Sequence, residues 1–298
     1  MPDQLSRGTL FDPQLVTDLI NKVKGRSSLA VLSSSQPIPF NGQKEFTFTL
    51  DSEIDVVAEN GKKSHGGMSL EPLTILPIKV EYGARVSDEF LYASEEAKID
   101  VLKSFNEGFA RKVAKGIDLM AFHGINPRTK TKSDVIGQNN FTDKVTQTVE
   151  FSDGDNPDEK IDDAVAVVQG AEGVVSGIAM APTFSSKLAK VTVDAEGKGQ
   201  KMYPELKWGA NPGSLNGVKL DINNTVSAHG NHEVILGDFQ NMFKWGYAKH
   251  IPMEIIKYGD PDNSGKDLKG YNQVYIRAEA YLGWGILDPK NFVRVVKQ

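Results

Sequence analysis

Residues 76–123 read LPIKVEYGARVSDEFLYASEEAKIDVLKSFNEGFARKVAKGIDLMAFH, and this stretch decides the fold. Ile78, Val80 and Tyr82 alternate with Lys79 and Glu81, the period of a half-exposed strand. From Ser94 the period lengthens: Leu102, Phe105, Phe109, Val113, Ile117 and Met120 recur at helical spacing, with Ser94 suited to the N-cap and Gly124 to the stop. At 1.5 Å per residue, a helix over 94–123 is roughly 45 Å long. A small domain alone does not cover such a helix.

Working outward, Phe40 to Thr74 reads as a long two-stranded excursion. Phe46, Phe48 and Leu50 alternate with Glu45, Thr47 and Thr49, and the tip, Asn60 to Gly67, is polar and glycine-rich. An isolated hairpin is marginal in water, so this one should rest on another surface. Before it, Asp12 and Pro13 open a helix that Gly25 closes, with Val16, Leu19, Ile20 and Val23 forming one apolar stripe. Ser33 to Pro39 is expected to be extended and mobile. Removing residues 1–40 should then leave the remainder folded. Downstream, a helix is expected after Asp158 (Ile161, Ala164, Val165, Val168), followed by short strands at Gly177–Ala181, Val218–Ile222 and Val234–Leu236. Two further strands, Ile251–Tyr258 and Val274–Tyr281, flank the loop Gly259–Gly270. This alternation of helix and strand suggests a compact α+β or α/β subdomain.

The chain has 298 residues, 39% of them hydrophobic, enough for about two domains or one large one. Its formal charge of −5 lacks the basic footprint of a general nucleic-acid binder. With no cysteine there is no disulfide, thiolate metal site or cysteine nucleophile. Met1-Pro2-Asp3-Gln4 opens without a secretory pattern, and no stretch reaches the ~20 apolar residues of a membrane span. The expectation is a soluble protein made in the cytoplasm.

Chemical motifs are sparse: the sequence contains no Gly-x-Ser-x-Gly elbow, phosphate loop, dinucleotide fingerprint or paired-histidine zinc motif. Asp260-Pro261-Asp262-Asn263-Ser264-Gly265 opens like a calcium loop, but position twelve is Tyr271 instead of a bidentate glutamate, so a turn is the better reading. His229, His232 and Glu233 have ligand-like spacing in a loop with no further His or Cys nearby; His65, His123 and His250 are scattered. The acidic run Asp153 to Glu159 reads as a solvated turn feeding negative charge to a helix start. No catalytic residue, cofactor site or metal site is expected.

Four segments in order give the chain a family likeness. They are the arm with its hairpin, the strand 76–87 running into the long helix, the run Glu233-Val234-Ile235-Leu236-Gly237-Asp238-Phe239 with Trp245-Gly246-Tyr247, and Val274-Tyr275-Ile276-Arg277-Ala278 through Trp284 to Val293. Together they resemble the major capsid proteins of tailed bacteriophages, the Hong Kong 97 fold. The resemblance implies an N-terminal arm (1–40), an E-loop (41–74), a P-domain (75–158 and 252–298) holding the spine helix 94–123, and an A-domain (159–251). It further implies self-assembly as pentamers and hexamers into an icosahedral virion shell. The partners implied are copies of itself, a separate scaffolding protein, a portal and decoration proteins, around double-stranded DNA enclosed without tight binding and without any membrane. Val16, Leu19, Ile20, Val23, Phe46, Phe48, Lys62 and Lys63 are the expected subunit contacts. Lys62 and Lys63 match no partner asparagine, so a crosslink is not expected. Two other readings are an encapsulin-type cargo shell, told apart by its cargo, and an α/β enzyme using the segment Gly197–Gly217.

Overall fold

A computed structural model describes residues 23, 26–50, 52–93, 95–193 and 199–298. The element order is α1 (Ser28–Leu32), β1 (Gln43–Leu50), β2 (Met68–Ile75), β3 (Ile78–Ser87), α2 (Glu95–His123), α3 (Phe141–Lys144), β4 (Thr148–Phe151), α4 (Pro157–Gly170), β5 (Gly177–Met180) and α5 (Pro182–Leu188). It continues with β6 (Ser214–Leu215), β7 (Val218–Ile222), β8 (His232–Gly237), β9 (Phe243–Ile256), β10 (Gln273–Ile286) and β11 (Phe292–Lys297).

The long helix forms as its periodicity predicts. Leu102, Phe109, Val113, Ile117 and Met120 are buried, and Phe105 packs its ring 6.0 Å from Tyr82 of β3. Gly124 ends the helix with φ +67 and its N–H on the Met120 carbonyl, a left-handed stop that glycine makes without strain. The helix lies against an antiparallel sheet in the order β3-β10-β9. The strands β9 and β10 run 14 residues each, longer than the sequence periodicity suggests. They absorb this length through bulges near Arg277 and Tyr281.

A second sheet, in the order β4-β11-β8-β5-β7-β6, carries the rest of the chain. Ile178, Met180, Val234, Leu236, Val293 and Val295 face one core, with Phe151, Phe184 and Val168. Ala179, Ile235 and Phe292 face the other, with Phe109, Ile117, Phe122 and Trp284. Both faces are covered, and so β5 and β8 read as continuous apolar runs. The sheet also crosses the division expected at residues 158 and 252. β4 and β11, assigned from sequence to the peripheral piece, pair with each other and β11 pairs with β8. The two pieces therefore share a sheet.

Two expectations about the arm are corrected. Ser33 to Pro39 is extended but paired: the N–H groups of Gln36 and Ile38 donate to the carbonyls of Trp245 (2.9 Å) and Tyr247 (3.1 Å) in β9. Gly246 makes this approach possible, because a Cβ there would lie 1.6 Å from the Gln36 carbonyl oxygen. Residues 1–40 are also not dispensable to the subunit, since Leu29, Leu32 and Ile38 are buried in it. A polar lock holds α1 in place. Asp118 of α2 is wholly buried and accepts from the Ser27 and Thr225 hydroxyls (2.5 and 2.7 Å) and from the Ser28 and Leu29 amides (3.0 and 3.3 Å).

The helix that was expected over 12–25 lies outside the described residues, apart from Val23. The helix expected after Asp158 starts two positions earlier than read: Asn156 is the N-cap of α4 and Pro157 its first residue, with Asp158 and Glu159 of the acidic run in the first turn.

Candidate subunit-contact surfaces

The chemical candidates resolve into structural roles. Arg85 fills the loop that resembled a calcium site: its guanidinium bonds Asp260 (2.6 Å), Asp262 (2.5 Å), the Ser264 hydroxyl and the Lys266 carbonyl. This pairing holds the Asp262 carboxyl well below the ordinary range. The cation there is the chain's own. His232 stacks on His123 with centroids 5.1 Å apart, and its Nε2 lies 3.0 Å from an Arg294 nitrogen. Burial, with His123 and Arg294 beside it, pushes its pKa down to about 3, so it is neutral at pH 7. Among the described residues no group of His, Asp and Glu could hold a metal ion, and no helix is long and apolar enough to cross a membrane.

The exposed hairpin is the first open surface. β1 and β2 pair from Gln43↔Ile75 to Leu50↔Met68. The base is pinned by buried Ile75, packed at Gly283 and Gly285, and by a Lys244–Glu45 ion pair (2.9 Å). Beyond that base, residues 52–67 are all exposed. Ile54 and Val56 are each 94% exposed and alternate with Glu53 and Asp55, with Glu59 following. The limb is therefore both apolar and acidic. Phe46 is 58% exposed, and Lys62 and Lys63 are exposed at the tip. The side chain of Phe48 and all of Val16, Leu19 and Ile20 fall outside the described residues. Val23 is corrected: it is fully buried among the chain's own core residues and presents nothing to a neighbour.

A second open surface was missed at the sequence level. Between α2, β3 and the turns at 126–136 lies a groove of about 640 Å³. Phe109, Val113, Met120 and Ile78 give it an apolar floor; Lys112, Lys115, Arg128 and Lys130 give it a basic rim, beside Glu81 and a Lys79 that is paired to Glu279 (2.8 Å). Burial, with the nearby Lys115 and Lys112, lowers the pKa of Lys130. The signal was present as Arg111-Lys112, Lys115 and Arg128 to Lys132, but only the fold puts the two runs side by side.

A third lies within the glycine-rich segment considered above as an enzyme site. Trp208 is fully exposed on the 3-10 turn Pro204–Gly209. Its φ of +58 is left-handed, which costs a bulky residue about 1–2 kcal/mol. The turn beneath is firm: Leu206 is buried, and the Tyr203 hydroxyl donates to Asp158 of α4.

The geometry agrees with the comparisons. The sequence matches the phage capsid family profile over residues 7–297. A solved structure from Mycobacterium phage Ogopogo is 31% identical, with a TM-score of 0.77 over 92% of each chain. One from Gordonia phage Cozz is 24% identical, with a TM-score of 0.74 over 92% of this chain and 87% of that one, a likeness of fold. The capsid of an empty GTA particle shares the fold at 16% identity, with a TM-score of 0.63 over 91% and 90%. No curated protein matches the chain.

Proposed function

This chain belongs to the phage capsid family, and from that premise we propose how its open surfaces join copies into a shell. It is a major capsid protein, a structural component of the virion shell, with the Hong Kong 97 fold. Our reading is that the hairpin of one subunit lies on the next, its limb 52–59 in the basic groove between α2 and β3. Ile54 and Val56 would meet the apolar floor while Glu53, Asp55 and Glu59 meet Lys112, Lys115, Arg128 and Lys130. The observation that carries this is complementarity: an acidic, apolar limb that its own subunit leaves uncovered, and a basic, apolar groove of the same chain. Burying either aliphatic side chain contributes about 1.5–3 kcal/mol per contact, and a shell repeats the contact at every interface.

In this reading Phe46, Phe48, Lys62 and Lys63 are contacts along the hairpin, and Val16, Leu19 and Ile20 contacts of the arm. The arm (1–40), E-loop (41–74), P-domain and A-domain keep the roles the family implies, with pentamers and hexamers as the units of assembly. A separate scaffolding protein, a portal and decoration proteins would act with it. Its net negative charge suits a container that confines DNA without gripping it. The test replaces residues 52–67 with an Asn-Gly turn. The variant should melt like the native subunit yet form no closed particles by electron microscopy. Normal particles from it would overturn the role of the hairpin.

A further inference from the structure

Trp208 has a counterpart on the same chain. A cavity of about 380 Å³ opens beside α4, walled by Ile161, Val165, Leu215 and Val218 and rimmed by Asp158 and Asp162. The exposed indole stands outside this cavity, and the residue before it is exposed Lys207. Neither Lys207 nor Asp162 has an ion-pair partner among the described residues. We propose that Trp208 of one subunit inserts into the α4 cavity of a second copy, with Lys207 pairing the Asp162 and Asp158 carboxylates at its rim.

Three observations carry this. First, the chain holds a tryptophan, the side chain most enriched at interface hot spots, fully in water and on strained backbone, where nothing among the described residues rewards the strain. Second, the turn is pre-organised. Ala210 N–H returns to the Lys207 carbonyl (3.2 Å), Met202 N–H reaches the Val191 carbonyl (3.0 Å), and Leu206 roots the turn in the core. Little ordering remains to oppose binding. Third, charge and shape match: a cation follows the knob and carboxylates edge the hole, in a cavity with room for an indole. Repeated in one direction from copy to copy, the contact of knob with hole is head-to-tail. Such a contact generates a ring wherever its rotation closes. The hairpin contact would then link subunits through the α2 groove, and the Trp208 contact would link them through the A-domain.

The inference rests on the shell-forming reading, and the test separates the two. Of the three tryptophans, Trp245 and Trp284 are buried, so acrylamide quenching of the native subunit reports on Trp208. In purified wild-type particles this quenching should fall about tenfold, and Trp208→Ala should need roughly tenfold more protein to assemble. The native chain has no cysteine, so chains carrying Lys207→Cys can be mixed with chains carrying Asp162→Cys before assembly and oxidised. A covalent dimer should form from the mixture and from neither variant alone. Lys207→Glu should impair assembly, and Lys207→Glu with Asp162→Lys should restore it. Wild-type particles in which Trp208 is quenched as freely as in the subunit, with no mixed dimer, would overturn this contact and leave the capsid assignment intact. Absence of wild-type particles under every scaffolded condition would overturn the shell-forming reading and this contact with it.

Discussion

Gly246→Ala is the most direct probe of how the arm is fastened to the subunit. The added Cβ would sit 1.6 Å from the Gln36 carbonyl oxygen and 2.7 Å from its carbon, both backbone atoms with no side-chain freedom to yield. The segment 35–38 must therefore leave β9. Its departure forfeits the hydrogen bonds of Gln36 and Ile38 to Trp245 and Tyr247, about 1 kcal/mol each. It also exposes Ile38, now 4% accessible, at about 2 kcal/mol. The total is about 4 kcal/mol, which for a chain of this size lowers the melting temperature by roughly 8 °C. Hydrogen exchange separates this mechanism from general damage. The amides of Gln36 and Ile38 should lose protection while those of α2 keep theirs. A variant that retains protection at both amides and melts within a degree or two of the native chain would refute the reasoning.

Further expectations concern the long helix and its buried acid. Gly108 faces open space on α2, so Gly108→Ala should stabilise the subunit by about 0.5–1 kcal/mol in denaturant titration, whereas Phe109→Asp one residue on buries an unpaired charge and should abolish folding. Burial raises the Asp118 pKa to about 6 from 3.8, against its four hydrogen bonds. The folded state therefore binds this proton more tightly than the unfolded one, and the stabilisation appears as pH falls through 6 and is complete below 3.8. From pH 7 to pH 4 the native chain should gain about 2–3 kcal/mol relative to Asp118→Asn, read from paired denaturant curves; parallel pH profiles would contradict this.

Much of the fold was legible because it obeys periodicity. The stripe from Leu102 to Met120, the alternation about Phe46, and the stop at Gly124 all follow from local rules. The Gly237-Asp238-Phe239 signature also has a physical basis. A Cβ at Gly237 would strike the Asn291 carbonyl, Asp238 ties down Ser176 and Asn241, and Phe239 is buried. What could not be read depends on contacts distant in sequence. The pairing of 35–38 with β9 is invisible in a Ser/Pro-rich stretch. The basic groove needs β3, α2 and residues 126–136 brought together, and Arg85 meets Asp260 and Asp262 across about 175 residues of chain. Trp208 was hidden by its glycine-rich surroundings, which pointed to a loop without saying what it displays.

The central claim is that this chain closes into a shell by laying its hairpin on a neighbour's α2 groove. Electron cryomicroscopy of assembled particles tests it most directly. The account predicts closed icosahedral shells with residues 52–59 of each subunit seated along Lys112, Lys115 and Lys130 of the next. Shells whose hairpins stand free of that groove, or a stable monomer that never assembles with scaffold supplied, would contradict it.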